Sequence, residues 1–289
     1  MNGFIEEAEV EFRRVIHTEN SYHLAYSELG DIYAAQGKTD EALWHYQESL
    51  RLSPTYTKAP VNMGNLLYSL GRVGEAGRQY ARALEIDPFL LEAAVNLANI
   101  RAIQGRFDEA LVLYRKVLKM NPGHDAARGN LEQLTLAHHR IDEAASPVIA
   151  ELNRNPGNIA LHVQLGDLYR SGGDLAGAVE WYEKARSMDP SRLGVLGNLG
   201  VIYGRWEDYD KAKAVLQQII ELQPRNAGAY YNLACHAARQ GMVDEAVKWL
   251  QGSIERGFSN WELLRTDKDL ENIRGTAFYE DLLKRLGDG

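Results

Sequence analysis

The chain has 289 residues, more than one hydrophobic core usually organises, so either several domains or an internal repeat is expected. Its 45% hydrophobic and 25% charged residues are the proportions of an ordinary globular protein, not of a disordered one. The formal charge of −8 argues against a nucleic-acid surface, which needs a concentrated excess of Lys and Arg, and leaves basic or neutral peptides as better partners.

One spacing orders the whole chain. Alanine stands at Ala8, Ala42, Ala76, Ala110, Ala144, Ala178, Ala212 and Ala246, a step of 34 each time. For a residue that fills roughly a tenth of positions, seven further matches at a fixed step have a chance on the order of one in ten million. Pro54, Pro88, Pro122, Pro156, Pro190 and Pro224 keep the same step, as do Leu29, Met63, Leu97, Leu131, Leu165, Leu199 and Leu233. The register defines copies at 23–56, 57–90, 91–124, 125–158, 159–192, 193–226 and 227–260.

Residues 1–22 carry only the second-half markers Ala8 and Phe12 and are expected to form a half repeat or a capping helix. Their opening, MNGFIEEAEVEFRR, has early acids and no apolar run of the kind a secretory signal needs. In the first full copy Tyr26, Leu29, Gly30 and Tyr33 sit at i, i+3, i+4 and i+7, the buried stripe of a helix A. A break is expected at Gln36-Gly37-Lys38. Helix B follows with Ala42, Tyr46, Ser49 and Leu50 as its stripe, Asp40 and Glu41 at its positive end, and Pro54 as its stop. Neither helix can bury its stripe alone, so neighbouring copies must stack.

The copies at 57–90 and 91–124 repeat this pattern. The one at 125–158 departs furthest: Glu132 replaces the glycine of helix A, Thr135 its tyrosine, His139 the turn glycine and Val148 the aromatic of helix B. Its register survives, so a helix pair is expected there too, as the least stable repeat and a flexing point between two halves. In the copy at 193–226 helix A carries Gly194, Gly197 and Gly204, and in the last copy Phe258 stands where proline is expected. Residues 261–289, with Trp261, Leu270, Phe278, Leu282 and Leu283, are expected to cover the end of the stack as a helical cap.

The markers resemble the tetratricopeptide repeat, whose pattern is W-x2-L-G-x2-Y, A-x3-F and P. Leu29-Gly30 with Tyr33, Ala42 with Tyr46 and Pro54 form one copy; Leu165-Gly166 with Tyr169, Ala178 with Tyr182 and Pro190 form another. The resemblance covers residues 1 to about 260, and the tail looks like the end-of-group extension of some bacterial arrays. It implies an all-α fold, a right-handed α-solenoid of antiparallel helix pairs wound into a superhelix. Helix A would line the concave face and contact ligands through repeat positions 2, 5, 6, 9, 12 and 13. The implied function is a protein-interaction scaffold for an extended peptide or a partner protein.

Position 6 reads Glu28, Asn62, Asn96, Asn130, Gln164, Asn198 and Asn232. Each amide offers a donor and an acceptor, so the ladder can hold a peptide backbone without reading its sequence. It is similar to the asparagine ladder in the repeat arm of O-linked N-acetylglucosamine transferase. Asparagine before Leu-Gly is also frequent in the repeat consensus, where it can serve contacts between helices, and both readings stay open. Near the glycine-rich helix, Arg170, Arg205, Tyr231 and Arg239 are candidates to hold an acidic side chain or a C-terminal carboxylate, with drift in a redundant array as the alternative. Position 5 carries no lysine, which disfavours the acidic tails of heat-shock chaperones.

No catalytic, metal or cofactor site is expected. His138 and His139 are adjacent and point to different sides of a helix, and Cys235 beside His236 is poor geometry for a nucleophile and its base. Gly71, Gly74 and Gly77 imitate a phosphate loop but lack a preceding strand. A single cysteine and the absence of a run of about 20 apolar residues fit a cytoplasmic protein with no membrane span and no nucleic-acid partner. Two other classes remain: the recognition arm of a larger enzyme such as a glycosyltransferase, and a self-associating structural array.

Overall fold

The computed structural model describes the backbone of residues 2–19 and 21–287 and the side chains of residues 6–19 and 21–284. Among the described residues there is no strand. The chain forms two compact units, residues 1–142 and 143–289. The first holds α1 (Asn2–Thr18), α2 (His23–Ala35), α3 (Thr39–Leu52), α4 (Lys58–Ser69), α5 (Val73–Ile86), α6 (Leu91–Ile103) and α7 (Phe107–Met120). The boundary falls inside α8 (Asp125–Arg154). The second unit continues with α9 (Ile159–Ser171), α10 (Leu175–Met188), α11 (Leu193–Arg205), α12 (Tyr209–Leu222), α13 (Ala227–Arg239), α14 (Val243–Glu255), α15 (Trp261–Thr266), a 3-10 segment at Lys268–Ile273 and α16 (Ala277–Gly287).

Six antiparallel pairs, from α2 with α3 to α13 with α14, are thus formed where the 34-residue register places them. The turn between the two helices needs a left-handed backbone, which glycine adopts without steric cost. Gly37, Gly71, Gly105, Gly173 and Gly241 take φ of 68–88° there, and Glu207 takes 59° in the sixth copy. Helix B packs through its alanine, fully buried in all six pairs from Ala42 to Ala246. The tyrosine four residues on lies flat against helix A: a Cβ on Gly30 would meet the ring of Tyr46 at 2.5 Å, and one on Gly166 the ring of Tyr182 at 2.5 Å. Those glycines therefore permit a close approach between helices.

The fourth copy differs from expectation. Instead of a helix pair, α8 is one 30-residue helix with Pro147 inside it. His139 occupies the turn position without glycine's freedom to take a left-handed backbone, and the chain stays helical through the point where the others reverse. Ala127, Leu134, Ile141, Ala145 and Leu152 form its buried stripe, a spacing that keeps them on one side of a continuous helix. Ala144, counterpart of the six buried alanines, is exposed, because the segment it would pack against runs in line with it.

The tail keeps the repeat register. α15 starts 34 residues after α13, and α16 starts 34 residues after α14. Asp267 stands where helix A elsewhere has leucine or, in α4, Met63, and there α15 gives way to the 3-10 segment. Leu264, Leu270, Ile273 and Tyr279 are buried to within 1% against α13 and α14, so the tail covers the last helix pair as a shortened eighth copy.

Candidate functional site

The helix-A faces carry a recurring hydrogen-bonded clasp. Tyr46 of α3 donates its hydroxyl to Asp31 Oδ1 of α2 at 2.6 Å, and Asn62 of α4 donates to the same oxygen at 2.7 Å. One repeat on, Asn65 Oδ1 accepts from Tyr80 at 2.7 Å and from Asn96 at 3.2 Å. In the next, Asn99 Oδ1 accepts from Tyr114 at 2.6 Å and from Asn130 at 3.0 Å. Burial first, and Asp31 second, raise the pKa of Tyr46; burial pushes Tyr80 up to about 12. These hydroxyls stay protonated and act as donors at neutral pH.

The second unit keeps one such joint. Tyr182 donates to Asp167 Oδ1 at 2.6 Å, Asn198 Nδ2 donates to the Tyr182 hydroxyl at 3.0 Å, and Arg170 Nε donates to that hydroxyl at 3.1 Å. In α12 and α14 the tyrosine is replaced by the buried Leu216 and Leu250, and position 9 carries Val201 and Cys235. Donor and acceptor have disappeared together.

The amide ladder therefore divides. Asn62, Asn96, Asn130 and Asn198 each use an amide hydrogen to tie one repeat to the one before it. Gln164 is exposed, and Asn232 has no hydrogen-bond partner among the described residues. Arg170 is held by Tyr182 and lies 3.7 Å from Asp167. Arg239 donates to Glu207 at 3.0 Å and lies 3.7 Å from Asp269. Tyr231 is only 5% exposed: its ring stacks on Phe258 at 4.2 Å and its hydroxyl donates to Asp267 of the tail at 2.7 Å. Sequence reasoning placed position 9 among the ligand contacts and missed its role as acceptor for the tyrosine, yet the signal is internal: Asp or Asn accompanies every tyrosine at position 24, and Val or Cys accompanies both leucines.

Three hollows open on these faces at equivalent places in the repeat. One of about 340 Å³ is lined by Asp31, Ala34, Asn62, Asn65 and Ser69. A second of about 550 Å³ is lined by Tyr68, Asn99, Ala102, Ile103, Gln133, Leu134 and Ala137. In the second unit a hollow of about 420 Å³ is lined by Arg205, Tyr231, Asn232, Arg239 and the tail residues Leu263, Asp267 and Asp269. Of Gly194, Gly197 and Gly204 in α11, the last leaves no opening, since a Cβ there would meet His236 Nε2 at 2.5 Å; Gly194 and Gly197 face open space. Burial, with Arg239 nearby, lowers the His236 pKa to about 4, so the ring is neutral. Burial, aided by Asp267, raises the Cys235 thiol, which opposes formation of a thiolate. Among the described residues no group of three or more His, Cys, Asp or Glu could hold a metal ion, and no helix is long and apolar enough to cross a membrane.

Tandem helix pairs in a 34-residue register, closed by a small residue against an aromatic, define a helical repeat protein. Family models agree: "TPR repeat" matches residues 30–71, and "Tetratricopeptide repeat" models match 59–89, 102–146, 159–192 and 198–258. Together they account for well over half of the chain, which belongs to the tetratricopeptide-repeat family. Similar solved structures include the first TPR of Spaghetti (RPAP3) bound to an HSP90 peptide, 24% identical with a TM-score of 0.38, covering 40% of this chain and 93% of that one. YrrB, a TPR protein with an unusual peptide-binding site, is 17% identical with a TM-score of 0.36, covering 77% and 97%. MamA is 17% identical with a TM-score of 0.34, covering 71% and 94%. No curated protein matches.

Proposed function

We propose that the chain is a protein-interaction scaffold that binds an extended peptide, or an extended segment of a partner protein, on the helix-A faces of its units. One observation carries the reading: the three hollows recur at equivalent places in the repeat, each lined by residues of positions 6, 9 and 13. A surface that repeats with the fold can be followed by a ligand that repeats with its own backbone. The tail's hold on Tyr231 and its pairing with Arg239 make Asn232 the position-6 residue to test in the last hollow.

The test is a selection of 12-residue peptides from a random displayed library, followed by hydrogen exchange of the full chain with each selected peptide bound. Slowed exchange confined to α2, α4, α6, the first half of α8, α9, α11 or α13 is the expected result. Slowed exchange confined to the helix-B elements α3, α5, α7, α10, α12 and α14 overturns the reading.

A further inference from the structure

The three hollows share a frame but differ in chemistry, and position 13 accounts for much of the difference. In the first it contributes Ser69, in a hollow that also holds the carboxylate of Asp31. In the third it contributes Arg205 and Arg239, with Asp267 and Asp269 opposite. In the second it contributes Ile103 and Ala137, joined by Tyr68, Ala102 and Leu134. Its polar members are neutral: Asn99, Asn130, Gln133 and the Tyr114 hydroxyl.

Most of those polar atoms are already engaged. Asn99 Oδ1 accepts from both Tyr114 and Asn130, and Asn130 also donates to the Tyr114 hydroxyl at 3.3 Å. Burial raises the Tyr114 pKa, which keeps that hydroxyl uncharged. No carboxylate, ammonium or guanidinium lines the hollow, so a charged side chain entering it would lose water with nothing to neutralise it. Meanwhile Tyr68 is 47% exposed and Ile103 41% exposed, leaving wetted apolar surface that an apolar side chain would cover. The Gln133 amide at the edge can pair with a peptide group beside that side chain.

From this we infer that the hollow between α6 and the first half of α8 is an anchor site for one large, uncharged apolar side chain, of the leucine, methionine or phenylalanine kind, on a peptide partner. The inference rests on the reading of the helix-A faces as binding surfaces and adds the chemistry that this face selects.

The test uses the full chain and the fluorescein-labelled peptides chosen from the displayed library, with binding followed by anisotropy. Peptides held here share one apolar residue, and its replacement by Glu or Lys weakens binding at least about tenfold. Ile103→Glu and Tyr68→Ala, both at exposed positions, lower affinity for the same peptides while circular dichroism and thermal midpoint stay those of the wild type. Ile103→Glu also shifts preference toward peptides bearing Lys at the anchor. Val112→Glu, on the outer face of α7, leaves affinity unchanged. Affinity that survives Ile103→Glu but falls with Asn232→Ala overturns the anchor while keeping the binding reading for the second unit. Peptides whose essential residue is charged overturn the anchor as well. A library that yields no binding peptide, or peptides that protect only helix-B elements, overturns both.

Discussion

The two units use the same repeat but join its parts differently. Residues 1–142 rely on the tyrosine clasp, made in three successive repeats through Asp31, Asn65 and Asn99. In the same unit none of the helices α2–α7 has a side-chain cap at its N-terminus. Residues 143–289 keep one clasp and have Val148, Leu216 and Leu250 in place of the other tyrosines, while Asn158, Asp174, Asp208, Asn226 and Asn260 cap α9, α10, α12, α13 and α15. One unit places polar stabilisation between repeats and the other at helix ends. The difference teaches that a repeat tolerates either solution, provided that the tyrosine donor and its acceptor change together.

Substitutions can break or sharpen this comparison. The largest contrast lies at position 20. Ala178→Leu overfills a fully buried contact and should lower stability by about 3 kcal/mol, whereas Ala144→Leu on α8 should stay within about 0.5 kcal/mol in urea denaturation. Equal damage at both sites would mean that the fourth copy closes into a helix pair in solution. Next come the joints. Tyr114→Phe removes a hydroxyl that bonds Asn99 and Asn130 and should cost about 1–2 kcal/mol. Leu216→Tyr should cost a similar amount for want of an acceptor, and Val201→Asn in the same chain should recover part of it; a double-mutant cycle with no coupling would remove the clasp as a unit.

Within the ladder, Asn198→Ala should cost about 1 kcal/mol and Asn232→Ala no more than about 0.5, because only the first is engaged with Tyr182. Matching losses, read from thermal midpoints, would return both to one role. Asn226 accepts from the Ala229 amide, so Asn226→Ala should cost about 1 kcal/mol. Lys38→Ala, at the uncapped start of α3, should be near neutral. The smallest effects concern the turn position. Glu207→Gly relieves a left-handed backbone but gives up the bond from Arg239, for a net gain of about 0.5 kcal/mol. His139→Gly should instead lose about 1 kcal/mol, as glycine does inside a helix. A gain at both positions would show that residue 139 sits in a turn.

Much of the fold was legible from short-range signals: stripes at helical spacing, a glycine at the turn and proline after helix B each act within a few residues of chain. The loss of the turn glycine at His139 was visible too, but its consequence depends on whether packing can force a reversal without it, and in the structure the helix simply runs on. The candidate site was legible as a face and not as a set of free groups. Asn62 and Asn232 look alike in the repeat register, yet one donates to Asp31 and the other has Val201 at the equivalent position, a distinction set by a residue 31 positions away.

The sequence by itself determined the period, the pairing of helices and the family, because each depends on residue type and spacing alone. Only the tertiary structure decided that the fourth copy is a single helix, that four ladder amides join repeats, and that Tyr231 lies beneath Asp267 and Phe258. Those outcomes depend on which side chains meet across helices, and a hydrogen bond between distant residues leaves no local mark on the chain that makes it.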